Sequence, residues 1–456
     1  MSESSSPDAA PLPQRRHHAA FTGGSLAITA VVVALVATTA APPPYGLDAI
    51  LLSYANNAAD IRPLFYLSGW IQVLPQLTVY AARALPLAWQ AALYPLVSLA
   101  VAVIMLREIQ RLFSLWLRRW EAVAISFTVI LYFNAFNPGL TQMIWSVWPL
   151  SVAAFCYILR KNLLGEPYSG FGFAAALAAC LSNPVTIVLV PLLVFLALTE
   201  NGGALRGQNA VFAGLLLAWY AAMFAFKPAS IVYLADNPLR GAARILWHTV
   251  TRPFPNSIIT AIALIALGWL AADAWRLKDK DARRRRLTSW LAYLGFSSLA
   301  VFLLSGRAFT VSTLPTRYTF VCVTAALIAA AARIVPASGR KSSLIVFAAV
   351  AITAIPFCKA VTNGLPLAAF ETTRDRLRFL HAAGQFRAAC RPGDALAPVG
   401  PREHLVVLCE RTALARGRHR PDDLRYDRYG DALLKRVPAR PWPSGAPTTA
   451  ILLSPP

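Results

Sequence analysis

The feature that most constrains this chain is a recurrence. Apolar runs of membrane-crossing length, almost free of charge, alternate with short segments rich in Arg and Lys. A helix needs roughly 20 apolar residues to cross the hydrocarbon of a bilayer. A continuous apolar run in lipid must satisfy its own backbone groups, which a helix does within the segment. Composition agrees, with 57% hydrophobic and only 14% charged residues, where soluble domains carry roughly 25% charged residues. The expected fold class is an α-helical polytopic membrane protein.

Residues 1–20 are a polar Ser/Pro-rich leader ending in Arg15, Arg16, His17 and His18, and read as a disordered cytoplasmic segment. The run Phe21 to Ala41 follows. It is longer than the apolar centre of a signal peptide, and no A-x-A site closes it, so it reads as a retained first helix with its N-terminus inside. Further runs start near Ala88, Ala122, Met143, Gly172, Val211, Ser257, Leu287, Thr319 and Ser343; the first of these is expected to end near Leu106, with Arg107, Arg111, Arg118 and Arg119 in an inner loop. Residues 172–199 are long for one helix and are interrupted by Ser182, Asn183 and Pro184. Proline drives the residue before it away from the α region, which predicts two short helices meeting in a break. A break at membrane depth needs protein or water to satisfy its backbone, and the expectation is that it faces a cavity.

Lys and Arg concentrate in alternate connections, most densely in residues 276–286, which hold seven basic and two acidic residues. Cytoplasmic loops carry such an excess. Taking 172–199 as a hairpin keeps residues 276–286 and Arg340 with Lys341 on the same side as Arg118 and Arg119. The count is then about 11 crossings, with the C-terminus outside. The membrane module is expected over 21–361, with outer loops at 42–87, 227–256 and 305–318. Beyond residue 362 the chain turns polar, with helical periodicity over Thr373 to Ala389 and short strand-like runs at 394–398, 404–408 and 449–453. These predict a small extracytoplasmic α/β domain over 362–456.

The net charge of +22 follows from the basic loops and the tail, so no nucleic-acid partner is assigned. Cys156, Cys180, Cys322 and Cys358 lie in or at the ends of apolar runs and read as small core residues. Cys390 and Cys409 lie in the polar tail and are a candidate disulfide if that tail is outside the cytoplasm. No Cys/His cluster has zinc spacing.

Candidate chemistry gathers in the outer loops. Asp48 and Asp60 are the only acidic residues between the first apolar run and Glu108. A carboxylate at a membrane-edge cavity can serve as general base on a hydroxyl; capping or pairing with Arg62 is the structural alternative. Arg240, Arg244, Arg252, Arg307 and Arg317 lie in outer loops, which the charge rule otherwise leaves poor in arginine. Guanidinium forks bind phosphate oxygens in pairs, so the set suits a lipid-linked phosphate, with anionic headgroups as the alternative. Tyr318 follows Arg317 at a helix mouth, and His248 stands in the same loop as Arg244, as an interfacial hydrogen-bonding group. Trp70 to Gln90 is aromatic and amphipathic and predicts helices lying in the interface.

This layout resembles the GT-C class of integral-membrane glycosyltransferases. The resemblance rests on Asp48 and Asp60 in the first outer loop, the segment Trp70 to Gln90, the Ser182-Asn183-Pro184 break, the Arg317-Tyr318 entry and the polar tail. It implies an enzyme that uses a polyprenyl-phosphate sugar at the outer face of a bacterial plasma membrane, with a glycan, lipid or protein as acceptor. Asp60, or else Asp48, would be the catalytic acid-base group. Arg62, Arg240, Arg244, His248, Arg307, Arg317 and Tyr318 would hold the donor phosphate. Members of the class often show an adjacent acidic pair in this loop. Asp60 has no acidic neighbour, so a divalent metal, which the resemblance leaves open as a cofactor, has no acidic pair to support it here. Two alternatives stay open: a lipid-carrier flippase or transporter, and an enzyme like the O-antigen ligases and polymerases.

Overall fold

The computed structural model describes residues 23–40, 48, 51–52, 56, 66–67, 70–136, 138–199, 203–225, 324, 328, 341–389, 395–398, 407–408, 439–440 and 450–453. The expected crossings at 257–275, 287–304 and 319–334 lie outside the described residues, apart from helical Thr324 and Ile328.

The apolar runs form helices: α1 (Gly23–Ala37), α2 (Val73–Arg83), α3 (Leu87–Phe113), α4 (Arg119–Phe136), α5 (Val147–Leu164), α6 (Gly170–Leu181), α7 (Leu189–Thr199), α8 (Gly203–Ala225), α9 (Ser342–Thr362) and α10 (Leu365–Ala389). Two of them are long and apolar enough to cross a bilayer, over Trp89–Phe113 and Ser342–Thr362. Local sequence explains several boundaries. Ser169 is extended and its Oγ accepts from Gly172 N, capping α6. Gly165 closes α5 at φ +64°, and Glu166 N donates back to the Lys161 carbonyl in a Schellman closure. Pro86 stands just before α3, and Pro75 in the first turn of α2, where a missing N–H leaves no helical bond unmade.

Some boundaries differ from the sequence reading. α3 continues to Phe113, through Arg107 and Arg111, because the polar side of this last stretch bonds neighbouring helices. Arg107 donates to Ser25 Oγ, Gln110 to Thr29 and Ser126, and Arg111 to Glu108. The segment before α5 begins with two 3-10 turns, Pro138–Thr141 and Met143–Trp145, ahead of the α-helix. In the polar tail α10 starts at Leu365, ahead of the expected Thr373.

Hydrogen bonds sort the helix ends into two groups. At one end lie the start of α1, the end of α3, the start of α4, the end of α5 and the start of α9. Glu108 bridges Arg111 and Arg160 there, and Glu121 Oε1 accepts from Ser342 Oγ at 2.6 Å. Asn162, Tyr168 and Asn209 interlock in the same region, tying the start of α6 to the start of α8 (Tyr168 Oη to Asn209 Oδ1, 2.6 Å). Arg118, Arg119, Arg160, Lys161, Arg206 and Lys341 belong to this end, so it is the basic end. Burial of the Tyr168 hydroxyl in this network pushes its pKa up, opposed by the hydrogen bond from Asn162.

The break at 182–184 lies at the other end. Leu74 N donates to Ser182 Oγ at 3.0 Å, and Asn183 Nδ2 donates to the Val147 carbonyl at 3.2 Å. The chain therefore runs up α6 to the break, through a 3-10 turn at Pro184–Val188, and back down α7 to the basic end, where α8 begins. α6 and α7 are about 18 and 16 Å long, and they reverse direction as a hairpin does. They do not pack along each other: α6 lies on α5, and α7 on α8. At the break, protein groups bond the backbone. Tyr220 Oη donates to the Asn183 carbonyl at 2.8 Å, and Thr186 Oγ1, also bonded to the Cys180 carbonyl, lies 2.6 Å from Tyr220 Oη. Hydroxyls from α8 and from the turn itself thus bond the Cys180 and Asn183 carbonyls at the break.

Between the two ends the interior is apolar, built from α1, α3 to α8 and α9. A second buried cluster caps the end opposite the basic residues, where Phe379, Leu380, Ala383 and Phe386 of α10 meet Leu51, Leu52, Val79, Ala82, Leu87, Ala91, Tyr94 and Met143. Short strands complete the described residues. β1 (Tyr66–Leu67) pairs with β2 (Trp70–Ile71), and β3 (Ala395–Pro398), β4 (Val407–Leu408), β5 (Ala439–Arg440) and β6 (Ala450–Leu453) form an antiparallel sheet in the order β4-β3-β6-β5.

Candidate functional site

The end opposite the basic residues collects the buried polar side chains of the first loop. Asp48 is fully buried, and its Oδ2 accepts from Met143 N at 2.6 Å. Met143 opens the 3-10 turn that leads into α5. An unpaired backbone N–H at a helix start carries partial positive charge, so this carboxylate acts as a cap supplied from 95 residues away. The bond is short, as charge-assisted bonds are.

Beside it, Asn56 and Gln90 exchange hydrogen bonds, Asn56 Nδ2 to Gln90 Oε1 at 2.6 Å and Gln90 Nε2 to Asn56 Oδ1 at 3.3 Å. Asn56 also donates to the Leu52 carbonyl and Gln90 to the Leu85 carbonyl, each within the first-loop region. Ser98 Oγ, two turns further along α3, bonds the Leu140 carbonyl at 2.7 Å. The first loop is thus laced to the start of α3 and to the turn before α5. Gln72 and Gln76 are buried at the start of α2. Among the described residues seven buried side-chain atoms have no hydrogen-bond partner, and Gln72 Oε1 and the Tyr94 hydroxyl are the two on these elements. Buried polar atoms are nearly always paired, so these two have bonding capacity of the kind a ligand hydroxyl or an ordered water uses.

Of the residues expected to carry catalysis, donor binding or the tail disulfide, the described part holds Asp48 alone. Asp60, Arg62, Arg240, Arg244, His248, Arg307, Arg317, Tyr318, Cys390 and Cys409 lie outside the described residues. The structure does bring two predicted features together: the segment after Trp70 meets the Pro184 break through Leu74 and Ser182. Asn56, Gln72, Gln76, Gln90 and Tyr94 escaped the sequence reading. Their signal was spacing, since Gln72 with Gln76 and Gln90 with Tyr94 stand four residues apart, on one face of a helix, within apolar surroundings. Among the described residues no three His, Cys, Asp or Glu side chains gather as a metal site.

The chain matches no family model, no characterised protein and no solved structure.

Proposed function

We propose that this is a polytopic membrane glycosyltransferase of the GT-C type, with its site at the end of the bundle opposite the basic residues. What supports the reading is the distribution of buried polarity. Among the described residues, buried polar side chains are concentrated towards the two ends, with a mainly apolar interior between them. Hydroxyls within that interior, such as Thr128, Ser151 and Thr353, bond back to carbonyls of their own helices. A transporter lines a midplane path with polar or ionisable groups. An enzyme acting on a lipid-linked substrate needs polarity at one face only. By the positive-inside rule the basic end is cytoplasmic, which puts the first loop at the outer face. The about 11 crossings and the outer α/β domain belong to this same reading.

In the reaction, the donor phosphate rests on Arg62, Arg240, Arg244, Arg307 and Arg317, with Tyr318 and His248 beside it. Asp60 takes the proton of the acceptor hydroxyl. The oxygen bonds to the anomeric carbon, the carbon–oxygen bond to phosphate breaks, and polyprenyl phosphate leaves with its charge held by the arginines. Asp48 serves as the anchor that fixes the loop carrying Asp60. The test is sugar transfer by purified protein in nanodiscs supplied with polyprenyl-phosphate sugars, with Asp60→Asn and Arg317→Ala in parallel. Transfer that Asp60→Asn abolishes is the expected result. Transfer unchanged in that variant removes Asp60 from the mechanism, and no transfer from any such donor overturns the enzyme reading.

A further inference from the structure

We propose that the first two turns of α10 lie in the lipid interface, so that this helix straps the first-loop cluster to the bilayer surface. The argument starts from α9. At 21 residues, and mostly unburied by protein, it is the membrane-length helix with the most open surface. Leu344, Phe347, Ile355 and Val361 point outward along it. A helix of that length is about as long as the hydrocarbon is thick, so its end at Thr362 falls at the boundary with the headgroups.

Asn363 and Gly364 then turn the chain, Gly364 at φ +72°. The next six residues, Leu365 to Phe370, carry no charge, and Leu367 and Phe370 are 65% and 66% exposed. Large apolar side chains left open within a few residues of a lipid-facing helix end continue the same lipid contact. Charge brackets them, with exposed Lys359 before and exposed Glu371, Arg374 and Arg378 after, so the uncharged apolar stretch ends in charged groups at headgroup level. Further along, Phe379, Leu380, Ala383 and Phe386 turn inward on the cluster that holds Leu51, Leu52 and Tyr94. One helix thus has a lipid-facing half and a protein-facing half. The inference does not depend on the glycosyltransferase reading or on which side of the membrane is outer.

The experiment places a benzoylphenylalanine photoprobe at Phe370 in the full chain, held in phosphatidylglycerol-containing nanodiscs, with a second protein carrying the probe at Phe347 on α9. After irradiation, intact-mass analysis is expected to show a shift of one phospholipid on both proteins. A lipid adduct at position 347 without one at position 370 overturns the proposal. So do adducts at position 370 that join two copies of the chain. Absence of lipid adducts at both positions overturns it as well, because the lipid-facing surface of α9 is its premise. Both probed side chains are exposed, so neither replacement disturbs the packed core.

Discussion

The break between α6 and α7 offers a decisive measurement, because two hydroxyls there serve two carbonyls. Tyr220 Oη lies 2.8 Å from the Asn183 carbonyl and 3.2 Å from that of Cys180, and Thr186 Oγ1 reaches both carbonyls as well. Each hydroxyl has a single proton, and the two oxygens lie 2.6 Å apart, so one proton bonds the hydroxyls to each other and the other serves the carbonyls. Tyr220→Phe and Thr186→Val keep shape and remove one donor each. In a dry site each loss costs about 1 kcal/mol, and the double variant about 2–3 kcal/mol, since neither hydroxyl remains to cover for the other. Each kcal/mol moves Tm by roughly 2–4 °C for a folded unit of about 150–250 residues. The assay is thermal unfolding in detergent, followed with a thiol-reactive dye. Among the described residues Cys156 and Cys180 are buried free thiols, with Cys180 at the break itself, and the signal is read as the rise over the starting level set by exposed Cys358 and whichever of Cys322, Cys390 and Cys409 react. Were the break open to water, a water molecule would replace each lost hydroxyl and the three variants would melt with the parent to within a few tenths of a kcal/mol. That result would refute the premise of a dry break.

Other variants probe the two ends separately. Glu121→Ala removes the acceptor of Ser342 Oγ and of Arg118 N; it is expected to cost about 2 kcal/mol in melting and to raise hydrogen exchange in α9, with Glu121→Gln milder. Gly165→Ala meets no neighbouring atom but must hold φ +64°, so its cost of about 1 kcal/mol is backbone strain alone, read as a lower Tm. Asp48→Asn keeps an oxygen for Met143 N but loses the charge, so it is expected to lower Tm by less than Asp48→Ala does and to leave sugar transfer near the parent. Asp48→Ala removes the oxygen and is expected to lose about 2 kcal/mol; if Asp48→Asn abolishes transfer at unchanged Tm, Asp48 belongs in the chemistry and the anchor role is wrong.

Much of the bundle was legible before any coordinates. Pro184 marked the break within a few residues, and the Lys and Arg clusters marked which connections share an end. The bond from Ser342 to Glu121 puts Lys341 beside the start of α4, as the charge pattern required. Where the reading went astray, partners far along the chain were responsible. Arg107 and Arg111 looked like loop residues because charge usually ends an apolar run, yet Ser25 and Glu108 keep them in helix. Nothing local to Tyr220 shows that its hydroxyl bonds a break 37 residues earlier.

Within the described residues, the sequence by itself pointed to most of the helical stretches, to the interruption at Pro184 and to the shared end of Arg118, Arg119, Arg160 and Lys341, because apolar length, proline sterics and charge bias are properties of short segments. Only the tertiary structure decided which polar groups meet. Periodicity shows that a residue lies on a buried face but not what it faces there. Asp48 and Met143 are 95 residues apart and Glu121 and Ser342 are 221 apart. Burial makes such a pairing obligatory, but its partner is selected by packing over the whole bundle.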